Sequence, residues 1–152
     1  QADIVVTTPG LPLNIDLYQS VKPIIALAPI MKENGVIFIY SECTEGVNSE
    51  DMVRAYDGVS SLEEVIHNLT DNYKIQMDHS LLLSKIMQQN IKIVFYSANI
   101  EKEITEKMFM VAADDIDDGL AKAYELVGKH NPKVMVFPQP QRTLPELVQK
   151  LS

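Results

Sequence analysis

Short apolar runs recur along the chain, separated by longer segments in which apolar residues return at helical spacing. Four of these runs are rich in β-branched or aromatic residues and cover residues 4–6, 36–40, 91–96 and 134–137. Continuous apolar runs of this length are typical of strands buried on both faces of a sheet. A fifth run, residues 108–112, is short and methionine-rich, but it lies between two helical segments as a parallel strand would. The pattern predicts about five strands.

The segment between the first two runs predicts a helix that is interrupted near its start. Apolar residues recur at helical spacing from Ile15 to Met31, and Gly35 follows as the expected stop. Pro23 cannot donate a backbone hydrogen bond and disfavours helix at the residue before it, which is Lys22. We therefore expect a kink or a short first helix at this point.

Five further helices are predicted from the same spacing. Serine caps precede the first two, a capping box is expected at Ser61 and Glu64, and Asp78 is the expected cap of the third. The five helices are expected at residues 49–56, 61–69, 79–88, 101–107 and 115–129.

Strands that alternate with helices predict one α/β domain. The expected architecture is a three-layer sandwich, in which a mostly parallel, doubly wound sheet of about five strands lies between helices. The tail at residues 138–145 is punctuated by prolines and should leave the sheet, and residues 146–151 are expected to form a short helix.

Composition and charge narrow the functional classes. The chain has 152 residues, 46% hydrophobic residues and a formal net charge of -8, without a cluster of Lys and Arg, which argues against nucleic acid as a partner. A single cysteine cannot form an internal disulfide, and no apolar stretch is long enough to span a membrane. These features predict a cytoplasmic protein. Because the chain opens on Gln1 and enters an apolar run almost at once, we expect residues 1–152 to be an excised C-terminal domain.

Gln19 and Lys22 are the strongest candidates for ligand binding. They lie one helical turn apart, directly after the first predicted strand, and should therefore lie near the carboxyl edge of the sheet, where α/β proteins bind ligands. A lysine and an amide together can bind a small carboxylate. The alternative is that Asp16 and Gln19 form a capping box and that Lys22 is an ordinary solvated residue.

Three other residues follow strands or begin helices at the same predicted edge. Glu42 is an acceptor that either caps a neighbouring helix or lines the pocket, and Cys43 would need a nearby base to act as a nucleophile. His79 lies in the first turn of its helix, where it is either a ligand-binding residue or a simple satisfied histidine. The three histidines and the acidic residues 114–118 do not have the spacing of a metal site, and no nucleotide-binding motif is present.

Several short motifs resemble one enzyme family. They are Ala2-Asp-Ile-Val-Val-Thr, Gly10-x-Pro12-Leu13, Tyr18-Gln19-x-x-Lys22, Gly35-Val-Ile and Glu42-Cys-x-x-Gly46. Together they resemble the C-terminal domain of nickel-pincer-dependent lactate racemases. The resemblance is densest over residues 2–46 and continues more loosely through nearly the whole chain.

The resemblance implies an isomerase that inverts lactate or another 2-hydroxy acid by hydride transfer. It implies that a nickel-pincer nucleotide is held by a preceding N-terminal catalytic domain, which would be the partner of this chain. It also implies that Gln19 and Lys22 hold the substrate, with Tyr18, Glu42 and His79 as further pocket-lining candidates. The fragment alone should then bind no cofactor, contain no catalytic residue and be inactive.

The chain departs from the family pattern at Asn14 and Asp16, where the family usually has aspartate and asparagine, and at Val47 and Asn48, which replace a more glycine-rich turn. It also has no tryptophan. The alternative function is a noncatalytic small-ligand-binding or interaction domain on the same scaffold. A third reading, a stand-alone hydrolase that uses Cys43 or Glu42, lacks an identified base.

Overall fold

A five-stranded, fully parallel sheet forms the centre of the molecule in a computed structural model, which describes residues 1–142. The strand order is β4-β3-β2-β1-β5. This arrangement confirms the predicted α/β sandwich, because the chain moves outward from β1 through β4 and then crosses back to place β5 on the other side of β1. The strands are β1 (Ala2–Thr7), β2 (Met31–Tyr40), β3 (Lys92–Tyr96), β4 (Val111–Ala112) and β5 (Val134–Val136).

Helices connect the strands. They are α1 (Leu17–Ser20), α2 (Lys22–Leu27), α3 (Glu50–Arg54), α4 (Leu62–Asn72), α5 (Asp78–Met87), α6 (Lys102–Lys107) and α7 (Ile116–Val127). The serine caps are confirmed, since Ser49 accepts from the Met52 amide and Ser61 accepts from the Glu64 amide. The expected interruption near Lys22 is also confirmed, because the first helix breaks into α1 and α2 with Val21 between them.

Gly35 is not the stop of the first helical segment, as the sequence pattern predicted, but lies inside β2. The helical segment ends earlier, in a short 3₁₀ turn at Ala28–Ile30 that contains Pro29. A Cβ atom on Gly35 would lie 2.8 Å from the Lys32 carbonyl oxygen, so the close approach of backbone explains the glycine.

Two smaller expectations were also wrong. Strand β5 is an edge strand and not buried on both faces, since Val134 and Val136 are exposed. Asp78 does not cap α5 but is its first residue, and Met77 precedes it without a side-chain cap. The tail leaves the sheet after β5 as expected and forms a short 3₁₀ turn at Pro140–Arg142. The helix expected at residues 146–151 lies outside the described residues.

The core is divided by the sheet into two clusters. One face packs against α1 to α5 and is the larger, with Leu17, Ile24 and Ile37 at its centre. The other face is covered by α7, which packs on Ile4, Val36, Phe38 and Val94. Gly119 permits the close approach of α7, because a Cβ atom there would lie 2.3 Å from Phe38 Cζ.

One buried carboxylate organises the amino edge of the sheet. Asp3 is 3% exposed and forms ion pairs with Lys32, at 2.8 Å, and with Lys129, and it accepts a hydrogen bond from the Lys133 amide at 2.8 Å. The two lysine ammonium groups and this amide hold the pKa of the Asp3 carboxyl well below its usual range, against the opposing effect of burial. Asp3 of β1 is thus joined at this edge to Lys32 of β2 and to Lys129 and Lys133, which precede β5.

No helix within residues 1–142 combines the length and the apolar character that crossing a membrane requires.

Candidate functional site

Helix α1 is fixed at the carboxyl edge of the sheet by the segment that follows β2. The Leu17 amide donates to the Gly46 carbonyl at 2.9 Å, and the Cys43 amide donates to the Asn14 carbonyl at 2.8 Å. Side chains add to this contact, because the hydroxyls of Ser20 and Ser41 lie 2.7 Å apart in the interior. The edge position predicted for Gln19 and Lys22 follows from these bonds.

Asp16 caps α1, as the capping alternative predicted. Its carboxylate is fully buried and accepts from the Gln19 amide at 2.6 Å and from Asn48 Nδ2 at 2.8 Å. Asp16 and Asn48, two of the positions at which the chain departs from the family pattern, are therefore direct partners. The cap uses only the backbone of Gln19, whose side-chain amide is half-buried and makes no hydrogen bond to residues 1–142. Capping and ligand binding at Gln19 are thus compatible.

Lys22 lies against an aromatic pair, and we call Tyr18, Lys22 and His79 the Lys22 cluster. The Lys22 Nζ atom is 5.3 Å from the centroid of the Tyr18 ring, which is the distance of a cation–π contact. The Tyr18 ring in turn lies 4.2 Å from the His79 ring, centroid to centroid, with the planes tilted by 57°. The cluster joins the first crossover to the first turn of α5.

The Lys22 ammonium has no counterion within residues 1–142. Across the part of the chain that the structure describes, it makes no ion pair, whereas six other lysines do. A half-buried cation on an aromatic face is prepared to receive an anion, because attraction strengthens as water is excluded. Burial, helped by the negative charges of Asp78 and Asp16, raises the pKa of Tyr18 above its ordinary value.

His79 is buried, with 7% of its surface exposed. Its Nδ1 atom lies 3.3 Å from the Asp78 carboxylate but makes no hydrogen bond among the described residues. The simple reading of a fully satisfied histidine is therefore incomplete. The observed arrangement is an imidazole held by packing against Tyr18 and oriented by a neighbouring carboxylate.

A separate cleft of about 340 Å³ opens where β1, β2 and β3 end, and we call it the edge cleft. Glu42 lies on it, and the Glu42 backbone carbonyl is fixed by Ser97 Oγ at 3.0 Å and Asn99 Nδ2 at 2.7 Å. The residues that line it are Thr8, Asn14, Tyr40, Ser41, Glu42, Thr44, Tyr96, Ala98 and Asn99.

The structure thus divides the residues singled out from the sequence. Tyr18, Lys22 and His79 come together, and Gln19 lies on the same short helix as Tyr18, but Glu42 lines the edge cleft and not the Lys22 cluster. Sequence reasoning missed Tyr40 and Tyr96 as cleft residues. Each ends a strand, and the two are register partners in β2 and β3, so the position of the aromatic residue at each strand end was the available signal.

Cys43 is a poor candidate for a nucleophile. It is fully buried, and its sulfur lies 3.5 Å from the Ser20 hydroxyl, a neutral group that is not a base. Among residues 1–142, no three His, Cys, Asp or Glu side chains are grouped as a metal ion would need. His67 and His130 are exposed. The chemistry that the described residues offer is therefore anion binding at Lys22 and polar recognition at the edge cleft.

Comparison with known proteins gives consistent matches along the chain. The family model of the lactate racemase C-terminal domain matches residues 1–141. A lactate racemase of Thermoanaerobacterium thermosaccharolyticum is 29% identical over 147 residues, and one of Lactiplantibacillus plantarum is 24% identical over 140 residues. Each match covers 90% of this chain and 33% of the relative, so the chain spans about a third of the length of the curated relatives that it matches.

A solved structure agrees with these sequence matches. The apoprotein of the T. thermosaccharolyticum lactate racemase superposes with a TM-score of 0.79 at 29% sequence identity. The superposition covers 89% of this chain and 33% of that chain. The similarity therefore extends from the motifs to the arrangement of strands and helices.

Proposed function

The chain belongs to the lactate racemase C-terminal domain family, and on that premise we propose that it is the substrate-clamping C-terminal domain of a longer racemase or epimerase. The substrate is lactate or another 2-hydroxy acid. The single observation that carries this proposal is the Lys22 ammonium, which lies 5.3 Å from the centroid of the Tyr18 ring at the carboxyl edge of the sheet and has no ionic partner among the described residues.

The proposed role of Lys22 is to bind the substrate carboxylate. A 2-hydroxy acid carries one negative charge, and an ammonium without a protein counterion can pair with it. In a chain with a net charge of -8, a local cation is needed to overcome the general repulsion of an anion. In this proposal Lys22 attracts the carboxylate of the substrate and determines where it binds.

The proposed role of Gln19 is to orient the bound acid. Its side-chain amide has no partner among residues 1–142 and can donate to a carboxylate or hydroxyl oxygen. Because the backbone of Gln19 is fixed by Asp16, the amide starts from a rigid helix and not from a loop. Two donors from neighbouring turns would then fix the substrate at one end.

The rest of the site is proposed to come from the part of the longer relatives that this chain does not match. In that part we place the N-terminal catalytic domain and the nickel-pincer nucleotide, which supplies a hydride acceptor when bound. Closure of the N-terminal domain over the carboxyl edge would exclude water and strengthen the pairing of Lys22 with the carboxylate. By itself the chain should bind the acid weakly and not racemise it.

The test is a kinetic comparison of variants in the whole polypeptide loaded with its cofactor. We expect Lys22→Ala to raise KM for the 2-hydroxy acid by about tenfold or more, since a charge-assisted contact is lost. Lys22→Arg should retain part of the binding, and Gln19→Ala should have a smaller effect than Lys22→Ala. Lys85→Ala is the matched control, because Lys85 is an exposed lysine on α5 outside the Lys22 cluster.

An unchanged KM in Lys22→Ala would contradict the proposal. If the whole polypeptide bound small carboxylates without interconverting their stereoisomers, the domain would instead belong to a noncatalytic ligand-binding protein. Isotope exchange at the α-carbon distinguishes these outcomes, because only a racemase moves the hydrogen.

A further inference from the structure

The Lys22 cluster contains a contact between distant parts of the chain that substrate binding by Gln19 and Lys22 does not explain. His79 comes from the first turn of α5, whereas Tyr18 belongs to α1, and their ring centroids are only 4.2 Å apart. The imidazole is more than nine-tenths buried, and its Nδ1 atom has no hydrogen-bond partner among the described residues. Hydrogen bonding of the Nδ1 atom within residues 1–142 therefore does not explain why this ring lies here, whereas its contact with the Tyr18 ring does offer an explanation.

We propose that His79 is a positioning residue that holds the Tyr18 ring and, through it, the ammonium of Lys22. The inference rests on the proposed function, in which Lys22 binds the carboxylate. His79 touches neither substrate nor cofactor in this arrangement. It acts by keeping one aromatic face in place beneath a flexible cationic side chain.

The need for such support follows from the chemistry of lysine. A lysine side chain has four rotatable bonds, and most of its conformers would take the ammonium away from the site. The attraction of the ammonium to an aromatic face favours the conformer seen here, but only if the ring itself does not turn away. Tyr18 is half-buried and packs against the larger core cluster, and His79 is the aromatic neighbour that contacts its ring.

The turn that carries His79 is rigid. The next residue, Ser80, donates from its hydroxyl to the Met52 carbonyl at 2.7 Å, and the Ser80 carbonyl accepts from the Tyr56 hydroxyl at 3.3 Å. Both bonds are buried and anchor the start of α5 to the α3 region. The Asp78 carboxylate lies 3.3 Å from His79 Nδ1 without a hydrogen bond to it. Because the start of α5 is anchored, His79 can hold the Tyr18 ring in place.

The first test measures the position of Lys22 without any activity. Lysines of the whole polypeptide, without cofactor, are labelled by reductive ¹³C-methylation, and the Lys22 signal is assigned by its loss in Lys22→Arg. The Tyr18 ring current should shift this signal upfield in the wild type. We expect the shift to fall by at least half in His79→Leu, in which an apolar side chain fills part of the space but the ring is absent. The shift should be retained in His79→Phe. Tyr18→Leu should abolish it.

The second test is a split between KM and kcat in the loaded enzyme. His79→Leu should raise KM for the 2-hydroxy acid about three- to tenfold with kcat changed less than twofold, and His79→Phe should restore KM. A merely structural role would lower the active fraction of the enzyme and therefore the apparent kcat, and it would not raise KM alone. Lys85→Ala again serves as the unaffected control.

The two readouts separate failure of this inference from failure of the proposed function. An unchanged Lys22 shift in His79→Leu overturns the positioning role, whatever the kinetics show. A lost shift with an unchanged KM supports the positioning of Lys22 by His79 and instead contradicts carboxylate binding by Lys22. Loss of the shift in both His79→Leu and His79→Phe would also overturn the inference, because an aromatic ring would then not be sufficient.

Discussion

Charged side chains at the two edges of the sheet differ in whether they have ionic partners: Asp3 at the amino edge does, whereas Lys22 and Glu42 at the carboxyl edge do not, among residues 1–142. At the amino edge, the buried carboxylate of Asp3 is matched by Lys32, Lys129 and the Lys133 amide. At the carboxyl edge, in the part of the chain that the structure describes, the side chains of Lys22 and Glu42 have no ionic partner. Asp3 thus has its counterions within the protein, whereas Lys22 and Glu42 belong to a candidate site of binding. The contrast does not extend to every charge at the carboxyl edge, since Lys102 and Asp114 form an ion pair after β3 and β4.

The contrast has a physical origin in the parallel sheet. All five strands point the same way, so the loops that leave the strands gather at one edge and can be varied without disturbing the pairing below them. The opposite edge carries the segments that enter β1, β2 and β5, which must be brought together for the sheet to form. Asp3 contacts each of these segments and therefore acts where folding requires it.

The largest effect on stability is expected from Asp3→Asn. The change keeps the shape of the side chain but leaves two ammonium groups without their shared counterion, so we expect a loss of about 3 kcal/mol in the free energy of unfolding. Urea denaturation measures it. Asp57→Asn is the matched control, since Asp57 is exposed and pairs with Lys107 at the surface, where about 0.5 kcal/mol is expected. Equal losses in the two variants would contradict the special role of the amino edge.

The pH dependence of the same variant gives an independent check. The pKa of Asp3 is lower in the folded state than its ordinary value of 3.8, so its contribution is fully present above that value. The contribution is lost as the pH falls below 3.8 toward the lower folded pKa. The difference between wild type and Asp3→Asn should therefore be constant above about pH 5 and shrink in acid. A difference that grew in acid would contradict the ion pairs.

The second largest effect is expected between the two edges, at the contact of α7 with the sheet. Gly119→Ala would place a methyl group 2.3 Å from the fully buried Phe38 ring, and overpacking of this kind costs about 2 kcal/mol. Phe38→Leu should recover part of the loss in the Gly119→Ala background. The Lys22 signal should not move in either variant, because neither edge is touched. A moved signal would mean that the carboxyl edge is not independent of the core.

The strands, the helix caps and the position of the site could be predicted from the sequence because their determinants are local. Ser49 and Ser61 cap helices through amides three residues away, and Pro23 interrupts the helix in which it lies. Gln19 and Lys22 could be chosen as candidates for ligand binding because they lie one helical turn apart and belong to one short motif. Gly35 was misread because a glycine after an apolar segment is typical of a helix end, whereas its real constraint is backbone approach within the sheet.

The remaining parts of the site depend on contacts between distant residues. Nothing in the spacing of Tyr18 and His79 indicates that the two rings touch, since the contact is set by how α5 packs on the first crossover. Glu42 was expected in the same pocket as Lys22 because both follow strands, but α1 turns Tyr18 toward His79 and Ser20 toward Ser41. The sequence thus predicts which edge of the sheet a residue lies at. It does not predict which other residues its side chain contacts there.

A smaller effect is expected from the cap of α1. Asp16→Asn keeps an acceptor for the Gln19 amide but removes the charge of the buried carboxylate and places an amide opposite Asn48 Nδ2, so we expect a loss of about 1 kcal/mol. Adding Asn48→Asp restores a donor facing an acceptor and should recover most of the loss. Asn48 has a positive φ of 51°, which aspartate tolerates. Thermal unfolding of the two single variants and the double variant gives the coupling between the two positions, and additive losses would contradict it.

The smallest effect on stability is expected at the residue with the largest expected effect on binding. Lys22→Ala removes a cation–π contact from a half-buried side chain, but it also removes a charge that has no counterion among residues 1–142, so the free energy of unfolding should change by less than about 0.5 kcal/mol. Urea denaturation of Lys22→Ala and Asp3→Asn under the same conditions compares the changes in the free energy of unfolding at the two edges. A loss at Lys22 as large as that at Asp3 would contradict the proposed role of Lys22, because a cation that serves to bind a ligand should contribute little to folding when the ligand is absent.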